Sequence, residues 1–248
     1  MVQLKYFLFF LFLGIVFSTS CSDDDTQYIQ EDSLELIASY KIGVLEPSGL
    51  TIDNDGEVLY TVSDNTGSIY ELSTKGELLK TYNVEGDDLE GVSTYTANKL
   101  LLAEERTKQI VEYDLSTGIT SKHTINYEND FENNGIEGVA YKENDGSIFI
   151  LNEQNPGKLI RLRSDFSIII EYDLNFASDY SGIFYDVSLN NLWIISDQNK
   201  SLNRCTLQGV LIGKYPIHIT QAEGVAITND KIYIVSDIEA KLYVYKKP

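Results

Sequence analysis

From about residue 34 the chain alternates apolar and polar positions in runs of five to seven residues, broken every ten residues or so by Asn, Asp and Gly. Period-2 alternation bounded by such residues predicts β-strands joined as an antiparallel meander, and no stretch of this region carries a persuasive helical period. The meander repeats. Glycines recur at Gly49, Gly91, Gly138, Gly182 and Gly224, at spacings of 42, 47, 44 and 42. Each opens an alternating run: SGLTID, EGVSTY, EGVAYK, SGIFYD and EGVAIT. A turn follows, then VLYTVSD, LLLAEE, IFILNE, LWIISD and IYIVSD, then a third run in every repeat and a fourth in four of them. Four strands per unit of about 44 residues is the blade of a β-propeller. The fifth repeat stops after three strands at Pro248, and an open sheet edge invites aggregation. The segment LELIASYKI, residues 34–42, has no blade of its own and is expected as the outer strand of the last blade. The expectation is an all-β, five-bladed β-propeller of four-stranded antiparallel blades, its ring closed by an N-terminal strand.

The first twenty residues follow a different pattern. After Lys5, a twelve-residue apolar run from Tyr6 to Phe17 is too short to span a bilayer, which needs about 20 residues, and fits the core of a secretory signal. Ser18, Thr19 and Ser20 lead to Cys21. This arrangement resembles a bacterial lipobox, in which the cysteine is lipidated and becomes the N-terminus, although Ser18 stands where a lipobox usually has Leu. The bland alternative is a plain signal peptide with a chance cysteine. Asp23, Asp24 and Asp25 follow, resembling an acidic tag for export to the outer face of the outer membrane; a solvated linker facing the periplasm is the alternative. The expected organisation is a signal peptide over 1–20, an acidic tether over 21–33 and the propeller over 34–248. The membrane is reached through the lipid anchor alone.

Charge narrows the partners. The 248 residues carry a formal charge of −19, and loss of residues 1–20, which hold one lysine and no acid, leaves 18 basic and 38 acidic residues, or −20. Such a chain repels phosphate and is no nucleic-acid binder; it suits cations. Without residues 1–20 it keeps two cysteines, Cys21 and Cys205; with Cys21 lipidated only Cys205 is a thiol, expected as a small packing residue.

Two sets of acids repeat with the blades. Asp64, Glu105, Glu153, Asp197 and Asp237 close the second strand, one in every blade, and a carboxylate there can accept turn N–H groups. This set is expected to be architectural. Glu90, Glu137 and Glu223 stand directly before the repeating glycine in three blades, with Ser48 and Ser181 in the other two. Antiparallel pairing puts both sets on one face of the disc, with the pre-glycine set nearer the axis. Three carboxylates about 6 Å apart would repel by roughly 3 kcal/mol per pair at an effective dielectric near 20. Either some stay protonated, or a cation sits among them. The donors are all oxygens, which favour Ca²⁺ or Mg²⁺ over zinc. A ring of water-filled, unpaired acids is the bland alternative.

Other motifs carry no chemistry. DNDGE (Asp53 to Glu57) and ENDGS (Glu143 to Ser147) mimic the start of a calcium loop but lack its later ligands and read as hairpin turns. His123 and His218 lie near peripheral fourth strands. Trp193 reads as core. Arg106 is expected to pair with an acid. There is no G-x-S-x-G, H-E-x-x-H or C-x-x-C.

The stretch from Glu46 to Leu72 resembles an NHL-type propeller repeat. The order DLEG (Asp88 to Gly91), EER (Glu104 to Arg106), GIEGVAY (Gly135 to Tyr141), YSGIFYD (Tyr180 to Asp186) and QAEGVAI is similar to the SdiA-regulated family over about residues 34–248. The resemblance implies a five-bladed propeller, a calcium site on acidic residues and no settled activity. The family more often has Asp-Glu-Arg where this chain has EER, which leaves open whether Glu104 or Glu105 serves the site. Two functions compete: a calcium-binding, non-catalytic module for an unknown small-molecule or protein ligand on the cell envelope, or a calcium-dependent hydrolase of lactones or phosphoesters. The second needs an open metal position and a nearby base.

Overall fold

The computed structural model describes Met1 and residues 33–84, 86, 88–96, 98–128, 135–154 and 156–248. Cys21, the rest of the signal segment after Met1 and the acidic tether up to residue 32 lie outside the described residues.

Twenty strands form five antiparallel sheets of four among those residues. Blade 1 is β2 (Pro47–Ile52), β3 (Val58–Ser63), β4 (Ser68–Ser73) and β5 (Leu78–Asn83). Blade 2 is β6 (Leu89–Thr94), β7 (Lys99–Glu104), β8 (Gln109–Asp114) and β9 (Thr120–Thr124). Blade 3 is β10 (Ile136–Lys142), β11 (Ser147–Asn152), β12 (Lys158–Leu162) and β13 (Ile168–Asp173). Blade 4 is β14 (Gly182–Asp186), β15 (Asn191–Ser196), β16 (Ser201–Cys205) and β17 (Leu211–Pro216). Blade 5 is β18 (Ala222–Ile227), β19 (Lys231–Ser236), β20 (Lys241–Lys246) and, from the other end of the chain, β1 (Leu36–Lys41). The arrangement is the expected five-bladed propeller. No helix among the described residues is long and apolar enough to cross a membrane.

The core lies in five wedges, one between each pair of neighbouring blades. This explains why second strands such as LWII are apolar at consecutive positions: on β15, Leu192 and Ile194 pack toward blade 3 while Trp193 and Ile195 pack toward blade 5. Cys205 is one of these wedge residues, fully buried, its thiol pKa pushed up by burial. The DNDGE segment is the expected turn: the Asp53 side chain accepts the amides of Glu57 (2.8 Å) and Val58 (3.1 Å), and Gly56 takes φ 74°.

At the axis the five inner strands, β2, β6, β10, β14 and β18, meet backbone to backbone. A Cβ on Gly91 would lie 2.8 Å from the Cα of Gly138, one on Gly49 would lie 2.8 Å from the Cα of Gly91, and one on Gly224 would lie 2.5 Å from the carbonyl carbon of Gly49. Only glycine fits this belt, which is why it repeats at the blade spacing. Just ahead of the belt, β6, β10 and β18 bulge: Leu89 and Gly91 face consecutive residues of β7, so Glu90 has no opposite number, and Glu137 and Glu223 are extra in the same way. A bulge re-aims the side chain of its extra residue.

Ring closure rests on β1. Leu36 to Lys41 pair with Tyr245 to Lys241 of β20, and the amide of Ile42 donates to the carbonyl of Ala240 (3.0 Å). Ile42 also fills the wedge between blades 5 and 1, with Ala38 and Tyr40 against it. A chain starting at Gly43 loses that strand and bares β20. It should aggregate or melt well below a chain starting at Asp32, as followed by thermal melts and light scattering. Equal melting temperatures would show that β1 is dispensable.

Candidate metal centre

The pre-glycine residues and the ends of the second strands open on one cavity of about 350 Å³ at a mouth of the ring. Glu90, Glu137 and Glu223 line it together with Ser48 and Ser181. The strand-closing acids Asp64, Glu105, Glu153, Asp197 and Asp237 line it as well. The two sets expected to serve different purposes thus face a single space, because the mouth is too narrow to separate a strand start from the neighbouring strand end. Both sets also include tethered members. Glu105 accepts the Gly135 amide (3.1 Å) and Asp197 accepts the Ala222 amide (3.2 Å), each a tie to the next blade, while Asp64 accepts the Asn65 amide (2.6 Å). The Ser48 hydroxyl donates to Glu90, and that of Ser181 donates to the Ala222 carbonyl (2.8 Å).

A third set lies three residues before each repeating glycine: Glu46, Asp88, Gly135, Asp179 and Gln221. Glu46, Asp179 and Gln221 line the cavity, and Glu46, Asp88 and Gln221 hold left-handed backbone at φ 47°, 63° and 46°. In blade 3 the position must be glycine, since a Cβ there would lie 2.0 Å from the Glu105 carbonyl oxygen. Asp88 brings an oxygen within 4.8 Å of oxygens on Glu90 and Glu105, which makes these three the tightest carboxylate group of the site. Glu105 reaches Asp88 on one side and Glu137 on the other. Asp179 is committed to structure, holding the amides of Asp197 (3.0 Å) and Gln198 (3.1 Å) and the Ser196 hydroxyl.

A sequence model of the SdiA-regulated family matches residues 28–246. The chain belongs to the SdiA-regulated family. Among solved structures, its fold is similar to Myxococcus xanthus glutaminyl cyclase, with a TM-score of 0.67 and 11% identity over 87% of this chain and 98% of that one. A streptogramin B lyase matches with a TM-score of 0.53 and 20% identity, over 83% and 67% of the two chains. A nidogen/laminin complex matches with a TM-score of 0.56 and 12% identity, over 77% and 72%. At these identities the likeness is one of fold.

The family position at EER now resolves. Glu104, the last residue of β7, is wholly buried and turns away from the axis; Lys122 (2.8 Å) and Thr107 (2.9 Å) donate to it. Glu105 is the axial acid. Arg106 pairs with Asp88 (3.0 Å), as expected of it, and is mostly exposed. His123 sits on the outer strand β9, stacked on Phe166 (3.7 Å) and bonded to Glu112 (3.0 Å), and neither histidine lines the cavity. No lysine, arginine or histidine is among the described residues lining it.

Burial and crowding of the inner carboxyls govern the electrostatics. Burial, followed by Asp64, Asp88 and Glu105, pushes Glu90 up to about 7 against the opposing hydroxyl of Ser48. Burial, with Glu90 and Asp197 adding repulsion, pushes Glu223 up to about 9. Glu137 is raised well above the usual carboxylate range by burial and then by Glu90, Glu105, Glu153 and Glu223. Near pH 7 the metal-free cavity therefore keeps protons on part of its acids. All its donors are hard oxygens, a set that fits Ca²⁺ or Mg²⁺.

The sign of the resulting pH dependence follows from linkage. These acids are raised on folding, so between the ordinary carboxylate range and about pH 7 to 9 the folded state holds protons that the unfolded chain has released, and stability falls as pH rises. In chelator, the melting temperature should drop by roughly 5–10 °C between pH 5.5 and 8.5, on the order of a few kcal/mol at 2–4 °C each. Glu137→Gln should flatten the slope. A melting temperature that rises over that window would contradict the electrostatic assignment.

Proposed function

We propose that this SdiA-regulated protein is a non-catalytic binding module of the cell envelope, built around a calcium ion held at the mouth of its propeller. The observation that supports it most is the cavity that Glu90, Glu137 and Glu223 line together with Glu105, where Glu90 and Glu105 group closely with Asp88 and no basic side chain is among the described lining residues. Crowded, buried carboxylates destabilise a fold unless a proton or a cation sits among them, and a divalent cation relieves several repulsions at once. Glu90, Glu137 and Glu223 supply the ligands reached from the inner strands, and Glu105 and Asp88 the ones beside them. The ion's role in this reading is to fix the blades around the mouth, where an unidentified small molecule or protein docks.

A second reading, a calcium-dependent hydrolase of lactones or phosphoesters, draws on Glu153, a lining carboxylate outside the proposed ligand set whose pKa burial raises, as the base beside the ion. Calcium-dependent turnover of such an ester that is abolished by Glu153→Gln while calcium still raises the melting temperature would favour it over the binding module.

Calcium at a hundredfold excess over its Kd should stabilise the fold by about 2.7 kcal/mol, raising the melting temperature by roughly 5–10 °C. Glu137→Gln should lose most of this response while melting higher than the unaltered protein in chelator at pH 8.5, because one buried titrating carboxyl leaves the cluster. Asp64→Asn should lose some stability with the Asn65 contact and keep the response. A Glu137→Gln protein with the full calcium response would refute the site.

The envelope location rests on Cys21. Cys21→Ala should abolish incorporation of labelled fatty acid and release the protein from the membrane fraction, and protease added to intact cells should remove the propeller when Asp23, Asp24 and Asp25 are intact. Membrane retention of the Cys21→Ala protein would contradict lipid anchoring.

A further inference from the structure

The ring has a second mouth, and its chemistry differs from the first. Inner strands all run the same way along the axis, so their C-terminal ends meet on the face opposite the acid cavity, beyond the glycine belt. There they enclose a cavity of about 260 Å³, with contributions from all five blades. Small-molecule sites run from about 300 Å³ upward, so this space suits one ring-sized ligand.

Its donors are backbone amides. The Asp53, Tyr95 and Thr228 amides bond to the second strand of their own blades, at 2.9, 3.0 and 2.9 Å. Antiparallel ladders alternate, so the preceding amide in each strand points away from the sheet, toward the axis. In two blades a neighbour meets it: the Thr94 amide donates to the Thr51 hydroxyl (3.3 Å) and the Tyr141 amide to the Ser93 hydroxyl (3.0 Å). The other three blades carry Ala140, Phe184 and Ala226 at the position of that hydroxyl, two residues after the belt glycine. The amides of Ile52, Tyr185 and Ile227, all lining residues, therefore receive no such partner from the preceding blade.

The remaining walls are aromatic and acidic. Tyr95 and Tyr141 stand edge to face at 4.7 Å, and Phe184 is the one large residue at a position that is small in every other blade. Asp53 and the exposed Glu143 supply carboxylates at the rim, while Asp186 is already held by Lys247 (2.7 Å). No lysine, arginine or histidine is among the described residues lining the space.

We propose that this second mouth binds a neutral saccharide unit. Its hydroxyls can accept from the axis-facing amides and donate to Asp53 and Glu143, and its C–H face can lie against Tyr141 and Phe184. The carboxylates disfavour an anion, and the amide N–H dipoles disfavour a cation. The site is independent of the acid cavity and of any metal there.

Saturation-transfer NMR on the full chain, with a panel of neutral mono- and disaccharides, tests this; choline and acetate are the cationic and anionic arms. At least one saccharide should bind, equally well in calcium and in chelator. Tyr141→Ala should weaken it by about tenfold, the loss of about one ring contact. Glu143→Ala, at an exposed rim position, should weaken it by about fivefold with melting unchanged, and it keeps the test valid if Tyr141→Ala fails to fold. Binding of no saccharide, binding of choline or acetate in their place, or saccharide binding of unchanged affinity in Glu143→Ala would overturn the proposal.

Discussion

Everything in this ring depends on how closely five strands can approach one axis. The belt of Gly49, Gly91, Gly138, Gly182 and Gly224 is the answer the fold reaches: at four of them a Cβ would run into the next inner strand's backbone, and at Gly138 it would run into the Ile183 side chain. That contact sets the blade spacing and lets five wedges of apolar side chains close around the ring. It also separates the axis into two mouths with different linings. Leu→Ala changes in such wedges cost about 2–5 kcal/mol each. A methyl group at the belt would act differently, pushing whole blades apart against backbone that cannot yield.

The acid mouth follows from the same crowding. Ahead of the belt, β6, β10 and β18 bulge and the extra residues are Glu90, Glu137 and Glu223, whereas β2 bulges at Gly49 itself. The second strands end at the same height, so Glu105, Glu153 and their counterparts share the space. Burial and mutual repulsion then raise these carboxyls together. Among the described residues, basic side chains reach this site only from its edge, as with Arg106 on Asp88 and Lys200 on Asp197, while Lys122 and Lys247 serve Glu104 and Asp186 elsewhere. A cost concentrated in this way fits a site made to take up a cation.

The repeating glycine made the fold readable from the sequence, because its spacing reports the belt directly and its neighbours report the strands. The closing strand was readable for a related reason: three strands at one end and one spare at the other admit one ring. The pre-glycine glutamates stood out against the serines of two blades. The set three residues before the glycine did not, because its acids, Glu46, Asp88 and Asp179, differ in type and share the position with Gly135 and Gln221; a fixed offset from the belt glycine is the signal that finds them. Glu104 and Glu105 could not be told apart because LLLAEE reads equally well with either as the last strand residue, and the pairing of Leu89 with Glu104 decides it. The second mouth was hidden in residues that each read as ordinary strand positions, and it emerges only when five strand ends are brought together.

The central claim is that the acid mouth is a cation site, and anomalous diffraction from a crystal soaked in a lanthanide that replaces calcium tests it most directly. The account predicts one dominant peak on the axis, within ligand distance of Glu90, Glu137 and Glu223 or of their neighbours Asp88 and Glu105. A cavity without a peak at saturating ion, or a dominant peak at the Asp53 turn, would contradict it.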